Sequence, residues 1–404
     1  AFVCQDVRGR FGSEGAFESP FGRHEIDDTF DSIEWIADQD WSNGDVGMWG
    51  ESYYGLTSYC GAIGGHPALK CIAPGDPAPF NLHHIIYRQG ALALNAMGLW
   101  SLGMDGRRYN SFDGLDCWAL PLSAIPGPMA HSGALFRQWV TSPAGDDDDI
   151  WHAGDLSDCI DKVAAPTLLW GGWYDNIQGP WLADWETILS RSPAPEHKHL
   201  LIGPWDHEGT SNVTGTVGPL AVGSQAAYRW DTTQAFFDHY LKGLDNDFDK
   251  RPTVEIFVMG DNAWRFEAAW PPARAGETAF YLNGSGGLGT TRADDEAPDS
   301  FVYDPANPVA DTLGEDMWAA IAALGDRRAI GQRDDVLTYT SAALDDDMEI
   351  TGHIRAEIHA ASSAVDTDFT VTLVDVFEDG HAHLIQHGII RTGTIEPGRV
   401  QTHA

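Results

Sequence analysis

Val46-Gly-Met-Trp-Gly-Glu-Ser-Tyr-Tyr-Gly55 is the stretch on which the fold turns. Its first four residues form a short apolar strand behind the turn signal Asn43-Gly44-Asp45, and a small-residue helix follows through about Gly64. A serine between such a strand and helix, flanked by Gly50 and Gly55, stands where a nucleophile elbow would put it. There a sharp turn lifts Oγ above the sheet, and the backbone N–H of Tyr53 aims at a developing oxyanion. The helix N-terminus adds a partial positive charge behind it. The common motif has Gly two residues after Ser, whereas this chain has Tyr54 there and Gly at three. Taken alone, the pattern is also that of any serine in a helix-starting turn.

The chain on either side strengthens the reading. Leu69-Lys-Cys-Ile-Ala-Pro74 is a further buried strand, Glu25 to Gln39 carries Ile26, Phe30, Ile33, Trp35 and Ile36 at mostly helical spacing, and Ala1–Asp6 reads as a buried strand entering a loop at Arg8-Gly9. This alternation predicts a parallel α/β sheet. From Pro77 to about Asp158 the strand pattern lapses, which predicts a mostly helical cap. Strands resume at Pro166–Gly172 and His199–Gly203, with a helical stretch at 180–191 between them, and a last helix runs from Ser224 to Lys242 before Gly243. After Pro252 the runs Val254–Met259, Ala279–Leu282, Glu349–Ile358 and Phe369–Phe377 alternate apolar and polar residues between turns, as sandwich strands do. The expected organisation is an α/β-hydrolase core at 1–81 and 155–250, a helical cap at 82–154, and an incomplete jelly-roll or sandwich domain at 252–404.

Two later strands run off into polar residues of the kind an elbow serine needs. Leu168-Leu-Trp-Gly-Gly-Trp-Tyr-Asp175 ends in a carboxylate and Leu200-Leu-Ile-Gly-Pro-Trp-Asp-His207 in an imidazole. Ser52, Asp175, His207 is the chain order of the α/β-hydrolase triad. A hydroxyl is a poor nucleophile near neutral pH, so His207 as general base removes its proton, and Asp175 fixes the imidazole tautomer and stabilises its charged form. Asp206, adjacent to the histidine, is a rival acid that an extended backbone points the other way. His83-His84 and His197-x-His199 lack the further clustered ligands of a metal site and read as loop or surface histidines. Asp146–Asp149 reads as a solvated acidic turn, with a cation such as Ca²⁺ the rival. Trp100, Trp118, Trp139 and Trp151 suit the packing of a cap core, with an acyl pocket as the alternative; Trp151, Trp173 and Ile177 are the candidate pocket residues. No metal or other cofactor is expected.

The chain has 404 residues, 43% of them hydrophobic, enough for more than one buried core. Its formal net charge of −36 disfavours nucleic acid and anionic membrane surfaces as partners. Five cysteines without a C-x-x-C pair indicate neither a disulfide framework nor a zinc site. No apolar run approaches the ~20 residues of a membrane span. The compartment stays open, with the cytoplasm favoured. Lysine occurs only at Lys70, Lys162, Lys198, Lys242 and Lys250, which fits either a surface hydrated in concentrated salt or a codon bias against lysine.

Together, Asp6-Val-Arg-Gly-Arg-Phe-Gly-Ser-Glu-Gly15, Gly47-Met-Trp-Gly-Glu-Ser-Tyr-Tyr-Gly55, Gly172-Trp-Tyr-Asp175 and Gly203-Pro-Trp-Asp-His207 closely resemble the X-Pro dipeptidyl-peptidase / cocaine-esterase (CocE/NonD) family of serine hydrolases. Ala235–Gly243, Val258–Trp264 and Ser363–Phe369 extend the resemblance into the β region. The family's elbow reads G-x-S-Y-x-G, which accommodates Tyr54. The resemblance implies hydrolysis of esters, amides or Xaa-Pro dipeptide bonds by Ser52, Asp175 and His207, with the Tyr53 N–H as one oxyanion donor. It places the second donor, a tyrosine hydroxyl, upstream of Ala1, and further jelly-roll strands beyond Ala404. The 404 residues are therefore expected to be a piece lacking both ends, weakly active or insoluble as it stands. A dipeptidyl-peptidase would need a carboxylate for the substrate's ammonium; Glu51, Asp76 and Asp146–Asp149 are candidates among which spacing does not choose. A reading of another class is a carbohydrate-binding or adhesive jelly roll with a vestigial hydrolase domain.

Overall fold

The computed structural model describes the chain apart from residues 18–20, 81, 113–114, 128–132, 143–150, 152–153, 212–214, 219, 295–296 and 311–324. Its apolar runs become β1 (Val46–Glu51), β2 (Leu69–Gly75), β3 (Thr167–Gly172), β4 (Lys198–Gly203), β5 (Val254–Val258) and β6 (Ala263–Glu267). These lie side by side in chain order as one sheet. The first five are parallel, and β6 turns back antiparallel on β5. α1 (His24–Ala37) precedes β1, α2 (Tyr53–Gly64) joins β1 to β2, α3 (Gln178–Arg191) joins β3 to β4, and α4 (Trp230–Tyr240) lies between β4 and β5.

Neighbouring residues along a strand point to opposite faces, and both faces are covered. Ile72, Leu169, Leu200 and Ile202 pack with Tyr59 of α2 and with Trp181 and Trp185 of α3. Cys71, Leu168, Trp170 and Leu201 pack with Trp205 and with Phe236 of α4. Two-sided burial is why these strands read as continuous apolar runs; each fully buried side chain such as Leu201 stabilises the fold by about 1.5–3 kcal/mol. Cys60, Cys71 and Cys159 are buried within this framework, and Cys4 and Cys117 are exposed.

Between β2 and β3 the described chain carries α-helices at Leu82–Ile86, Trp100–Met104 and Ala134–Thr141, joined by irregular segments, with a short hairpin pairing Tyr87–Arg88 to Ala91–Leu92. After β6 the described ladders are antiparallel. The longest joins β7 (Asp368–Val376) to β8 (Ala382–Arg391), and shorter ones pair Tyr281–Asn283 with Gly287–Gly289 and Ile358–Ala360 with Gln401–His403.

Several sequence expectations need correcting, among them that Glu349–Ile358 is a strand, of which only Ile358 lies in one, and that Trp118 packs in a cap core, where it is 76% exposed. Val254–Met259 is not a sandwich strand: β5 pairs parallel to β4 and is buried along its whole length, so the sheet runs past residue 252. Glu255 supplied the false alternation; it is 4% exposed, and its carboxylate accepts hydrogen bonds from Arg229 and Thr232. Ala1–Asp6 forms no strand and all six residues are exposed, because within the described sheet β1 pairs only with β2. The helix expected from Ser224 to Lys242 is a short 3₁₀ turn at Ser224–Ala226 followed by α4. His199 is neither loop nor surface: it is a buried β4 residue packed edge-on against Phe248, 3.4 Å from the Tyr240 hydroxyl.

Candidate active site

The elbow is a consequence of close backbone approaches. A Cβ on Gly50 would lie 2.3 Å from Cβ of Tyr54, and one on Gly55 would lie 2.6 Å from the carbonyl oxygen of Gly75, so both positions exclude a side chain. Between them Ser52 sits at φ 57°, ψ −122°, a strained region for a non-glycine residue. The turn is held by the Ser52 N–H, which donates to the Gly75 carbonyl at 2.8 Å and to Asp76 Oδ1 at 2.9 Å. Tyr53 opens α2, where a backbone N–H has no acceptor within the helix. Its phenol points away from the elbow and donates to Glu25.

His207 and Asp175 arrive from the ends of β4 and β3. Trp205, wholly buried, anchors the His207 loop by donating Nε1 to Ala226 O at 2.7 Å, and its own carbonyl accepts from the Tyr174 N–H at 2.9 Å. The two loops are thus tied one residue from the acid and two from the base. Nε2 of His207 lies 2.8 Å from Ser52 Oγ and Nδ1 lies 3.0 Å from Asp175 Oδ1. Asp175 is itself held: Oδ1 accepts from the Ile177 N–H at 2.9 Å and Oδ2 from Trp181 Nε1 at 2.8 Å. Asp206, the rival acid, instead accepts from the Glu208 N–H at 2.9 Å and serves its own turn.

The electrostatics favour a charged imidazole. Burial alone would depress the pKa of His207, but Asp175 and then Asp76 outweigh it and raise the pKa above the ordinary histidine value. Burial raises the carboxyl pKa of Glu51, which accepts from Thr210 Oγ1 at 2.9 Å, and raises that of Asp76 well above the usual range. Asp76, Asp175 and His207 are also the one group among the described residues with metal-ligand spacing, but the histidine nitrogen facing both carboxylates is already the donor to Asp175.

The candidate pocket residues divide. Trp173 borders a cavity of about 320 Å³ shared with Arg88, Asp175, Asn176 and Leu384. Trp151 stacks on Trp139 inside the cap and donates Nε1 to Ser142 O, and Ile177 is buried in the same apolar cluster; neither lines that cavity. His83 packs edge-on against Trp151. Asp146–Asp149 lies outside the described residues.

Sequence reasoning weighed Asp76 only as an ammonium ligand and missed its contact with the Ser52 amide, although it ends a strand just as Asp175 follows one. It also missed Arg88, whose guanidinium donates to the carbonyl of Asn176, and His383, whose Nε2 lies 2.9 Å from the Tyr174 hydroxyl. Both contacts join segments remote in the chain, and no local pattern announces them.

A family model for X-Pro dipeptidyl-peptidase (S15 family) matches residues 1–209, and one for the X-Pro dipeptidyl-peptidase C-terminal non-catalytic domain matches residues 246–401. Cocaine esterase of Rhodococcus sp. (strain MB1 Bresler) is 36% identical over 427 aligned residues, covering 97% of this chain and 72% of that protein. The solved structure of an aminopeptidase from a marine sediment Thaumarchaeota archaeon superposes with a TM-score of 0.85 at 25% identity, covering 98% of this chain and 73% of that one. That of an α-amino acid ester hydrolase gives a TM-score of 0.80 at 24% identity with the same coverage, a likeness of fold.

Proposed function

The chain belongs to the X-Pro dipeptidyl-peptidase (S15) family and is a serine-type acyl hydrolase, and on that premise we propose that Ser52, His207 and Asp175 carry the reaction. Ser52 Oγ attacks the acyl carbon while His207 Nε2 takes the hydroxyl proton. The carbonyl electron pair moves to oxygen, where the Tyr53 N–H receives it. When the intermediate collapses, the bond to the leaving group breaks and His207 returns the proton to the departing oxygen or nitrogen. Water then repeats the cycle on the acyl-enzyme and frees the acid. General base catalysis of this kind contributes about 10²–10⁴-fold and one oxyanion donor about 10²–10³-fold.

The observation that carries this reading is the relay of 2.8 Å and 3.0 Å contacts from Ser52 through His207 to Asp175. The test is Ser52→Ala: turnover of a nitrophenyl ester is expected to fall by about 10⁶-fold, with labelling by a fluorophosphonate probe abolished. Retained turnover would refute it.

Esters of small acyl groups are the substrate class we favour, on the 36% identity to a protein named cocaine esterase. The carboxylates beside Ser52 agree: Asp76 is wholly buried and Glu51 is engaged by Thr210, so neither stands open to a substrate ammonium. Release of N-terminal Xaa-Pro dipeptides is the second reading, supported by the superposition on an aminopeptidase. Ala-Pro-nitroanilide against its N-blocked form separates them, since a dipeptidyl-peptidase loses the blocked substrate. Membership of a hydrolase family sets aside the adhesive reading. Among the described residues no helix is long and apolar enough to cross a membrane.

A further inference from the structure

Four strand ends meet at this site, and the relay uses three of them. The fourth, at β2, carries Asp76. This residue is 0% exposed, adopts a positive φ of 35° and donates its own N–H to Trp170 O at 2.7 Å, which places it between the strands that lead to Ser52 and Asp175. Its Oδ1 accepts from the Ser52 N–H at 2.9 Å and lies 3.8 Å from Nδ1 of His207, the nitrogen that Asp175 meets at 3.0 Å. Its Oδ2 is buried and has no hydrogen-bond partner among the described residues. A buried carboxylate oxygen without a donor costs on the order of 1–3 kcal/mol or more, which a purely structural anchor for one amide would not need: an asparagine side chain also offers an acceptor to the Ser52 N–H, without the charge.

We propose that Asp76 is a second acid for His207, a positioning residue that shares the imidazolium with Asp175 and couples it to the backbone of the nucleophile. This rests on Ser52 and His207 acting as proposed above. As the serine proton moves to Nε2, positive charge develops on a ring whose Nδ1 faces two carboxylates, one in hydrogen-bond contact and one less than 1 Å farther away. Burial favours the neutral Asp76 carboxyl and the imidazolium favours its ionised form, so charge on the ring draws out the carboxylate that stabilises it through space, and with Asp175 removed Asp76 is the carboxylate left to accept the Nδ1–H. Glu51 also acts on the ring, less strongly than either aspartate, and is engaged by Thr210.

The test measures nitrophenyl ester turnover in wild type, Asp76→Asn, Asp175→Ala and the double variant. Ser52→Ala serves as the control: if it retains activity, the triad reading fails, whereas the comparison of the Asp76 variants fails or holds separately. A sole acid costs about 10⁴-fold when lost. With Asp76 as second acid, Asp175→Ala is expected to lose about 10²-fold in kcat at unchanged KM, and Asp76→Asn a further ~10²-fold in that background. In the intact relay Asp76→Asn should cost under about tenfold. Equal factors in the two backgrounds would overturn the proposal, because an anchor of the elbow costs the same with or without Asp175. If Asp76→Asn does not fold, the downfield proton resonance of His207 Nδ1–H in Asp175→Ala decides. It persists if Asp76 accepts that proton, and it vanishes by exchange if only water does.

Discussion

β5 and β7 look alike on paper. Val254-Glu-Ile-Phe-Val258 and Asp368-Phe-Thr-Val-Thr-Leu-Val-Asp-Val376 both set polar residues among apolar ones. Yet every residue of β5 is buried, whereas β7 has none that is. The difference lies in what surrounds them: β5 has strands on both sides and side-chain layers on both faces, whereas β7 pairs with β8 alone in its ladder. Burial of a strand is decided by partners distant in sequence, and function follows it, since Asp175 and His207 follow β3 and β4, strands of the first kind.

The comparison is most easily broken through packing. Trp170, wholly buried between Trp205 and Tyr228, is expected to cost about 3–5 kcal/mol on truncation to Ala. Val371→Ala in β7, where the side chain is 38% exposed, should stay within about 0.5 kcal/mol. Urea denaturation of the two variants measures both, and equal losses would remove the distinction between the regions.

Glycines sharpen it next. Gly55→Ala must push the elbow off the Gly75 carbonyl, 2.6 Å from the new Cβ, and we expect ester turnover to fall by about 10²-fold, since misplacement by about 1 Å costs that much. Gly388→Ala in β8, where a new Cβ meets nothing within 4 Å, should leave turnover unchanged.

The smallest effect is at the tie between the regions, where Arg265 of β6 pairs with Glu349. The hydrogen bond from Arg265 holds the Glu349 carboxyl down to about 2. A depressed carboxyl stabilises the fold above its ordinary pKa near 4.5, and the contribution is lost as pH falls from there through about 2. Glu349→Gln should therefore cost about 0.2–1 kcal/mol at pH 7, less in high salt and nothing below pH 2, as thermal melts across pH would show.

The sheet and the relay were legible because their signals are local. An apolar run followed by a polar strand end marks β1 with Ser52, β3 with Asp175 and β4 with His207, and the α/β-hydrolase order joins them. The same signal marks Asp76 after β2, but which carboxylate meets the imidazole depends on 3.0 Å against 3.8 Å, a difference no spacing encodes. β5 was misread for the opposite reason: Glu255 looks solvent-facing until Arg229, 26 residues upstream and on another element, neutralises it. Ala1–Asp6 was misread because an apolar run becomes a strand only beside a partner, and none lies beside it among the described residues.

Because Ser52, Asp76, Asp175 and His207 ride on four adjacent strands, the reacting groups form a unit whose geometry depends little on the 90 residues between Asp76 and β3. In evolutionary terms that is a division of risk. A lineage can lengthen or repaint the cap in search of new acyl groups while the proton path stays where the ladder holds it. The link that constrains such drift is Arg88, which leaves the cap hairpin to grip the carbonyl next to Asp175. A cap that kept this arginine while changing its other residues would inherit working chemistry along with a new specificity.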